Sequence, residues 1–317
     1  MLRLLATVVA VVSLLAGAVG TATHYIGLEN TTWTLVASFT PLFMVVTVVA
    51  LMVLVFLRQR VLAVVGVAVL AAGVWAQVPL YRSEYRAEAG DAPVVRVMQA
   101  NIFLGQADTA ALARTVRERH VDILTVSELT GGAARRLSSD GLGRELPYSF
   151  LRPREGGGGT GIFSRYPLRD GTALPGFVLT NLRATVDIPG TEPTAVYALH
   201  PLPPYPEPAY RWMAELGELH RLLGAEAMPL IVGADFNSTW DHQQYRRVLE
   251  TVPPLRDAAE YVGAGIVATY PANRGYPAIL AIDRILTRGA TPMSFSRIDN
   301  PGSDHFAVVG EVRLGGG

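Results

Sequence analysis

Three uncharged apolar runs at the start of the chain constrain its fold more than any other feature. They cover Leu4–Thr23, Trp33–Leu57 and Val61–Tyr81. Each is long enough for an α-helix to cross the hydrocarbon core of a bilayer, which takes about 20 apolar residues. We therefore expect residues 1–81 to form a multi-pass membrane anchor of three transmembrane helices.

The first run alone has some features of a signal peptide. Arg3 precedes it, and the small residues Ala16-Gly17-Ala18 lie within it. Two further apolar runs follow, and a cleaved leader would not explain them. The pattern as a whole therefore favours a membrane anchor.

The few charges near the apolar runs predict the orientation of the anchor. Positively charged residues beside membrane spans lie mostly in the cytoplasm. This rule places Arg3 and the turn at 58–60 in the cytoplasm and Glu29 outside. Three spans then put the rest of the chain on the outer face of the cell membrane. Arg82 and Arg86, which follow the third span on that face, count against this orientation.

The remaining charges limit the possible functions. The chain has 27 basic and 27 acidic residues and no cysteine. Few of these charges precede residue 82, so the rest of the chain has a small acidic excess. Nucleic-acid-binding proteins usually have a broad basic surface, so this balance counts against a nuclease without excluding one. Without cysteine there is neither a disulfide framework nor a thiolate metal site.

Residues 82–92 have no apolar face and are predicted to link the anchor to a second domain, residues 93–317. In this domain apolar strands alternate with amphipathic helices, but several strand pairs are joined by short turns. This pattern predicts a mixed or antiparallel α/β domain and not a doubly wound parallel sheet. The Gly156–Gly159 run precedes a strand and not a helix, so we predict a hairpin there in preference to a phosphate-binding loop.

Polar residues follow apolar strands at five places in this domain. They are Asn101, Glu128, His200, Asp235 with Asn237, and Asp304 with His305. Ligand sites of α/β sheets lie characteristically at the ends of strands. We therefore expect these side chains to meet at one edge of the fold.

The acidic members of this set suit a hard cation. Glu128 directly follows the apolar segment 123–126, and its ordinary interpretation is an acid near a helix start. Mg²⁺ takes few protein carboxylates and completes its shell with water and phosphate oxygens. One Glu with Asn101 and Asp304 would therefore be enough to hold it.

The imidazoles and the Asp-x-Asn segment suit proton transfer. Asp235 and Asn237 point to the same side of an extended segment, although such a pair also forms ordinary turns. His200 precedes a proline, which favours extended backbone and steadies the ring. Asp283 lies in an apolar strand and needs a buried partner, for which His305 is the natural candidate.

Taken together, these segments resemble the endonuclease/exonuclease/phosphatase superfamily. The resemblance covers about residues 93–315 and rests on motifs that occur in the family's order: Asn101-Ile102, Ser127-Glu128, Gly161–Arg165, Tyr197–His200, Gly233–Asn237, Ile282–Leu286 and Ser303-Asp304-His305. The three apolar runs ahead of this domain also resemble the VanJ-type membrane proteins linked to teicoplanin resistance. The family implies a four-layered α/β sandwich with two mixed β-sheets, of the DNase I-like kind.

The resemblance also implies divalent-metal-dependent cleavage of phosphate esters, with Mg²⁺ or Mn²⁺. By position, Glu128 resembles the principal metal ligand, with Asn101 beside it and Asp304 as a second carboxylate. Family nucleases often carry another acid two positions after the first Asn. Phe103 stands there in this chain, which puts a second metal site in doubt.

The resemblance assigns catalytic roles to the remaining residues of the set. Asp235 resembles the residue that activates water or protonates the leaving oxygen, and Asn237 a phosphate holder. His305, with Asp283 behind it, resembles the pair at the attacked phosphorus, and His200 a second imidazole.

From the anchor and the motifs together we expect a membrane-anchored phosphoesterase on the outer face of the membrane. The leading substrate hypothesis is a lipid-linked phosphate or pyrophosphate, since the anchor restricts the enzyme to the membrane. An extracytoplasmic nuclease and a phospholipase C-like phosphodiesterase are alternatives. A catalytically inert binding module on the same fold is a further one.

Overall fold

The N-terminal region consists of four helices in the computed structural model, which describes residues 1–86 and 92–315. They are α1 (Leu2–Ile26), α2 (Thr31–Ser38), α3 (Thr40–Phe56) and α4 (Arg60–Tyr81). Among the described residues, α1 and α4 are each long and apolar enough to cross a membrane. The pair α2–α3 makes a third such segment if it is counted as one span.

The second apolar run is not the single straight span that the sequence predicted. It is broken at Phe39, and α2 and α3 are bent by 68°. Asn30 caps α2 by accepting a hydrogen bond from Trp33 N, and Pro41 stands in the first turn of α3. Proline has no backbone N–H and favours the start of a helix, which explains why a new helix begins here.

The second domain contains thirteen strands and six helices in its described part. Its strands are β1 (Val94–Asn101), β2 (Ile123–Ser127), β3 (Tyr148–Arg152), β4 (Thr160–Ser164), β5 (Leu168–Ala173), β6 (Leu182–Val186), β7 (Thr194–Leu199), β8 (Leu230–Asp235), β9 (Arg256–Asp257), β10 (Asp283–Arg288), β11 (Ala290–Pro292), β12 (Ser296–Ile298) and β13 (Ala307–Leu314). Its helices are α5 (Thr109–Glu118), α6 (Gly131–Ser139), α7 (Leu142–Glu145), α8 (Ala209–Ala225), α9 (Gln243–Leu249) and α10 (Ala258–Tyr261).

These elements form the four layers that the family resemblance implied. One sheet has the order β11-β13-β1-β2-β4-β3, with β12 also on β13, and the other has the order β5-β6-β7-β8-β10-β9. Both sheets are mixed, because β1–β2 and β7–β8 are parallel and the other pairs are antiparallel. One apolar core fills the space between the sheets. A second core lies between one sheet and its helices, and a third lies between the other sheet and its helices. The predicted fold class is confirmed.

The glycine run joins two antiparallel strands, as predicted. β3 pairs with β4, and the turn between them contains Gly156–Gly159. Of the predicted linker, residues 82–86 are in neither helix nor strand, and the backbone N–H groups of Glu84 and Tyr85 donate to Tyr261 O. Residues 87–91 lie outside the described part of the chain.

A buried polar cluster joins the N-terminal helices, which are the predicted anchor, to the domain. Asp241 Oδ1 accepts hydrogen bonds from His24 Nδ1 at 2.7 Å and Gln77 Nε2 at 2.8 Å. Beside it, Trp240 Nε1 donates to Ala76 O at 2.9 Å. A buried carboxylate loses its hydration, so these donors are needed to stabilise it. The segment after β8 is therefore held against the ends of α1 and α4.

The short helix α2 is also held by the domain. His242 Nε2 lies 2.9 Å from Thr34 O, and Ala209 N donates to Thr31 Oγ1 at 3.1 Å. Leu80, at the end of α4, belongs to the same apolar core as α8 and α9. The anchor and the domain thus share both a core and hydrogen bonds, and this packing places α2 beside the site described next.

Candidate active site

Strand pairing brings the predicted residues to one end of the sandwich. In the parallel pair β1–β2, Asn101 lies opposite Ser127, so Glu128 follows directly. In the other sheet, Asp283 of β10 lies opposite Asp235 of β8. The register explains why residues far apart in sequence meet here.

Glu128 is fixed by an amide and by an unusual backbone conformation. Its Oε1 accepts a hydrogen bond from Asn101 Nδ2 at 3.0 Å, and its Oε2 accepts one from Leu104 N at 2.6 Å. Glu128 has φ 61° and Asn237 has φ 50°, both in the left-handed region. Asparagine tolerates this region, but for glutamate the conformation costs on the order of 1–3 kcal/mol. Such strain is concentrated at functional sites.

Asp235 is the centre of the polar cluster. Its Oδ2 accepts a hydrogen bond from Asn101 Nδ2 at 3.0 Å, and its Oδ1 accepts one from Asn237 N at 2.9 Å. The Nε2 atoms of His200 and His305 lie 3.7 and 3.8 Å from Asp235 Oδ2. Phe236, between Asp235 and Asn237, is fully buried, as the alternation of side chains predicted.

His305 and Asp283 form the buried pair that the sequence predicted. His305 Nδ1 lies 2.8 Å from Asp283 Oδ2. Burial lowers the pKa of His305, but the charges of Asp283 and Asp235 outweigh it and raise the pKa to about 10. The imidazole is therefore protonated at neutral pH, with Nδ1 held by Asp283 and Nε2 facing Asp235. These three residues also lie close enough together to hold a metal ion.

Asp304 provides a second place for a cation. Ser303 Oγ donates to Asn101 O at 2.8 Å and so ties the loop before β13 to the end of β1. Asp304 Oδ1 is buried and has no hydrogen-bond partner among the described residues. Burial raises the pKa of Asp304, and the nearby charge of Glu128 adds to this rise, although His305 opposes it. A cation between two such carboxylates would stabilise both, so the residues fit a divalent ion.

A cavity of about 480 Å³ opens onto these groups. The predicted residues that line it are Glu128, His200, Asp235, Asn237, Asp304 and His305. Asn101 and Asp283 lie behind them and contact Glu128 and His305. All eight predicted residues thus meet at this site.

The cavity wall includes residues that the sequence did not single out. Leu35, Ser38 and Phe39 of the anchor line it. Tyr270 also lines it, and its ring lies 4.9 Å from that of His305. No motif or spacing marks these residues, because their position depends on how the anchor and a long loop pack. Only the apolar character of Leu35 and Phe39 was visible beforehand.

Two further features hold the site in place. Asn181 Oδ1 accepts a hydrogen bond from His200 N at 2.7 Å and so fixes the end of β7. Gly157 of the predicted hairpin lines the cavity with φ 79°, and a Cβ there would lie 2.7 Å from Leu104 Cδ2. The glycine is needed because the hairpin passes close to the Glu128 carboxylate.

No arginine lines the cavity among the residues that the structure describes. A nuclease would be favoured by a cluster of arginines near the site, for which the sequence offers Arg152, Arg154, Arg165 and Arg169. None of these four lines the cavity. Arg165 and Arg169 form ion pairs with Asp122 and Asp187. The charged side chains of the described cavity wall are carboxylates and imidazoles.

Two stacked mixed sheets between helices, with this cluster at one end, define a DNase I-like α/β sandwich. The family model described as "Endonuclease/Exonuclease/phosphatase family" matches residues 98–305. The chain therefore belongs to this family, whose members are in general metal-dependent phosphoester hydrolases. No curated protein matches the chain.

Solved structures share the fold at low sequence identity. The chain is 17% identical to a humanized TDP2 of D. rerio, with a TM-score of 0.58 over 70% of this chain and 99% of that one. The chain is also 17% identical to D. rerio TDP2 complexed with a single-strand DNA product, with a TM-score of 0.57 and the same coverage of both chains. It is 16% identical to an endonuclease/exonuclease/phosphatase from Bacteroides vulgatus, with a TM-score of 0.53 over 70% of this chain and 99% of that one. Each is covered almost completely by the part of this chain after the anchor.

Proposed function

We propose that this protein is a membrane-anchored, divalent-metal-dependent phosphoesterase that acts on a lipid-linked phosphate or pyrophosphate at the outer face of the membrane. One observation carries the proposal. The cavity that holds the predicted catalytic residues is walled on one side by Leu35 and Phe39 of the anchor. A substrate in this cavity therefore contacts the segment that would lie at the membrane.

Glu128 and Asp304 would hold the ion, Mg²⁺ or Mn²⁺, with Asn101 beside them to orient Glu128. When bound, the ion would neutralise negative charge on the phosphoryl group and favour attack on phosphorus. Phe103 stands where many family nucleases have a further acid, and this supports a single ion. The role of Asn101 as a direct ligand stays a prediction.

The residues of the chain would supply orientation and proton transfer. Asp235 is held by two donors and would take a proton from the attacking water, or hold one for the leaving oxygen. His305 would donate from Nε2 to a phosphoryl oxygen, because Asp283 holds its Nδ1. His200 and Asn237 line the same cavity and would donate to the other oxygens.

The outward orientation rests on the positive-inside rule and on the helix order. α1 and α4 contact the domain near their C-terminal ends, through His24 and Gln77, and the short helix α2 contacts it through Thr34. The turn at 57–59, between α3 and α4, lies at the other end of those helices and is followed by Arg60. A protease-protection assay on spheroplasts tests this orientation. Protease added outside should digest an outward-facing domain while the spheroplast membrane is still intact.

Two alternatives remain open to the same chemistry. A nuclease is favoured by the resemblance to TDP2, one structure of which holds a single-strand DNA product. The absence of arginine from the described cavity wall argues against it. A phospholipase C-like phosphodiesterase would use the same residues on a diester, and an inert binding module would not need the strained Glu128.

The test uses the full chain in lipid nanodiscs with undecaprenyl pyrophosphate and, in parallel, plasmid DNA. We expect release of phosphate from the lipid with Mg²⁺, none with EDTA, and loss of activity in Glu128→Gln. The matched control is Glu145→Gln, since Glu145 lies outside the cavity. Cleavage of DNA with the same metal dependence, and none of the lipid, would establish the nuclease instead. Silence with both substrates would reject both.

A further inference from the structure

An apolar groove on the predicted anchor adjoins the catalytic cavity. The groove has a volume of about 410 Å³ and is formed by α2 and α3. It is lined by Thr32, Leu35, Val36, Phe39, Leu42, Phe43 and Val46, and we call it the chain groove. Leu35 and Phe39 line both the groove and the cavity. The two spaces are therefore neighbours that share a wall at the bend between the helices.

The groove leads from the cavity along the membrane-facing side of α3. Leu42 and Val46 are one helical turn apart and expose 46% and 37% of their surface. In the absence of a partner, such exposure is unfavourable in water and favourable in contact with hydrocarbon. The bend of 68° at Phe39 thus joins a surface along α3 to the wall of the site.

The cavity lining combines charged and apolar side chains. Its carboxylates and imidazoles share the wall with Leu104, Leu179, Leu202 and Leu280. A ligand that carries both a phosphate and a hydrocarbon chain matches this mixed lining.

A second apolar groove lies between α3 and α4 and is larger, about 580 Å³. Its lining includes Met44, Val48 and Val74, but none of the residues that line the catalytic cavity. Size alone would favour this second groove as a lipid site. The wall that it shares with the catalytic cavity favours the chain groove.

We propose that the chain groove holds the hydrocarbon chain of the substrate while its phosphate lies in the cavity. The substrate class is a phosphate or diphosphate on a long hydrocarbon chain, which reaches the site sideways from the outer leaflet. This inference rests on the proposed function and specifies how that site takes its substrate. In this arrangement the hydrocarbon chain passes the bend at Phe39 on its way from the cavity to the chain groove.

Photo-crosslinking tests the location of the chain independently of turnover. The probe is hexadecyl diphosphate with a diazirine at mid-chain, and the protein is the full chain in nanodiscs. We expect labels at Leu42, Phe43 or Val46, which line the chain groove and not the α3–α4 groove. Labelling confined to the α3–α4 groove, at Val74 or Val78, or spread evenly over the lipid-facing helices, would overturn the proposal.

A pair of variants on one helix provides the functional test. Val46→Trp fills the groove, whereas Val49→Trp adds the same bulk at a residue that is 50% exposed and lines neither groove. We expect Val46→Trp to lower kcat/KM for hexadecyl diphosphate by about tenfold, because displacing a few buried methylenes has this effect. Hydrolysis of butyl diphosphate should change less than about twofold, since its chain is too short to fill the groove.

Equal activity of both variants on the long-chain substrate would contradict the groove. If the wild-type chain hydrolysed neither diphosphate, the proposed function would be rejected. The position of the cross-link would still decide whether the chain groove binds hydrocarbon. The two proposals therefore fail in distinguishable ways.

Discussion

Asp235 contacts more of the polar groups at the site than any other single side chain considered above. It accepts hydrogen bonds from Asn101 and Asn237, and the Nε2 atoms of two imidazoles lie within 3.8 Å of its Oδ2. Its carboxylate is almost completely buried. It is therefore held in one position, from which it can accept a proton from a water bound in the cavity.

Replacing Asp235 with Asn keeps the shape of the side chain but removes the proton acceptor. We expect kcat to fall by about 10²–10⁴, the range typical of positioned general bases. The assay is phosphate release from the lipid pyrophosphate, with Asp187→Asn, at an exposed carboxylate, as the control. Normal turnover by Asp235→Asn would remove this residue from the mechanism.

In the proposed mechanism, Asp283 acts on the reaction only through His305, whose Nδ1 it contacts. In Asp283→Asn the imidazole loses the charge that holds its proton and its orientation. We expect kcat to fall by about 10²–10³, as for other lost electrostatic contributions, with little change in KM. Steady-state kinetics separate the two constants. A rise in KM with unchanged kcat would show that Asp283 serves substrate binding.

Sequence alone predicts which polar residues meet in the cavity, because most of them follow apolar strands; their catalytic roles stay predictions. Asp283 and His305 could be paired from chemistry, since a buried carboxylate needs a donor. Asn181 and Tyr270 could not be predicted, because their roles depend on loop packing that leaves no periodic signal.

At the scale of elements, the central strands that precede the polar site residues are visible in the sequence as apolar segments, whereas the edge strands leave little signal. The central strands β2, β7 and β8 are fully buried and therefore apolar throughout. The edge strand β5 exposes most of its residues, and β9 has only two. Such short or polar strands form because a neighbouring strand offers hydrogen bonds, which the sequence does not reveal.

The break between α2 and α3 was also missed, and it matters most for function. Residues 33–57 are apolar throughout, so periodicity shows one continuous run. Only the position of Pro41 hinted at a new helix start. The break makes α2 a separate element that can pack against the domain and line the cavity.

His242 makes this packing sensitive to pH. Burial lowers its pKa from 6.5 to about 4, although its hydrogen bond to Thr34 O opposes the shift. The unfolded chain therefore binds a proton between pH 6.5 and 4 that the folded chain does not, so stability falls as the pH falls through this window. The full effect is about 3 kcal/mol.

We expect the wild-type protein to lose more thermal stability between pH 7 and pH 5 than His242→Gln does. Differential scanning fluorimetry of both proteins in the same nanodiscs gives the comparison. Glu260, whose pKa burial raises to about 7, titrates in both proteins, so the difference isolates His242. Equal pH dependence of the two proteins would show that His242 is not buried in its neutral form.

At the scale of the whole molecule, the N-terminal helices form part of the wall of the candidate site. Asp241 binds His24 and Gln77 from two different helices of this region, and Leu80 completes a core of the domain. A domain severed after Tyr81 would expose this core and lose one wall of its cavity. The N-terminal helices and the domain therefore form one packed unit, which the division of the sequence into two regions did not show.

The contact between the N-terminal helices and the domain at Asp241 can be weakened without changing a residue that lines the cavity. Asp241→Leu leaves the His24 and Gln77 side chains without their buried acceptor, which costs about 1–3 kcal/mol for each unsatisfied group. We expect lower thermal stability and a reduced kcat/KM for a lipid substrate. Limited proteolysis should show earlier cleavage between anchor and domain. Unchanged digestion would indicate that this contact contributes little.

The proposed substrate is a phosphate held in a membrane. Surface dilution kinetics test this proposal, with the full chain in proteoliposomes and undecaprenyl pyrophosphate at constant bulk concentration. As the mole fraction of substrate in the bilayer rises, we predict a proportional rise in Mg²⁺-dependent phosphate release, absent in Glu128→Gln. A rate that followed bulk concentration alone, whatever the mole fraction, would show that the enzyme does not take its substrate from the membrane.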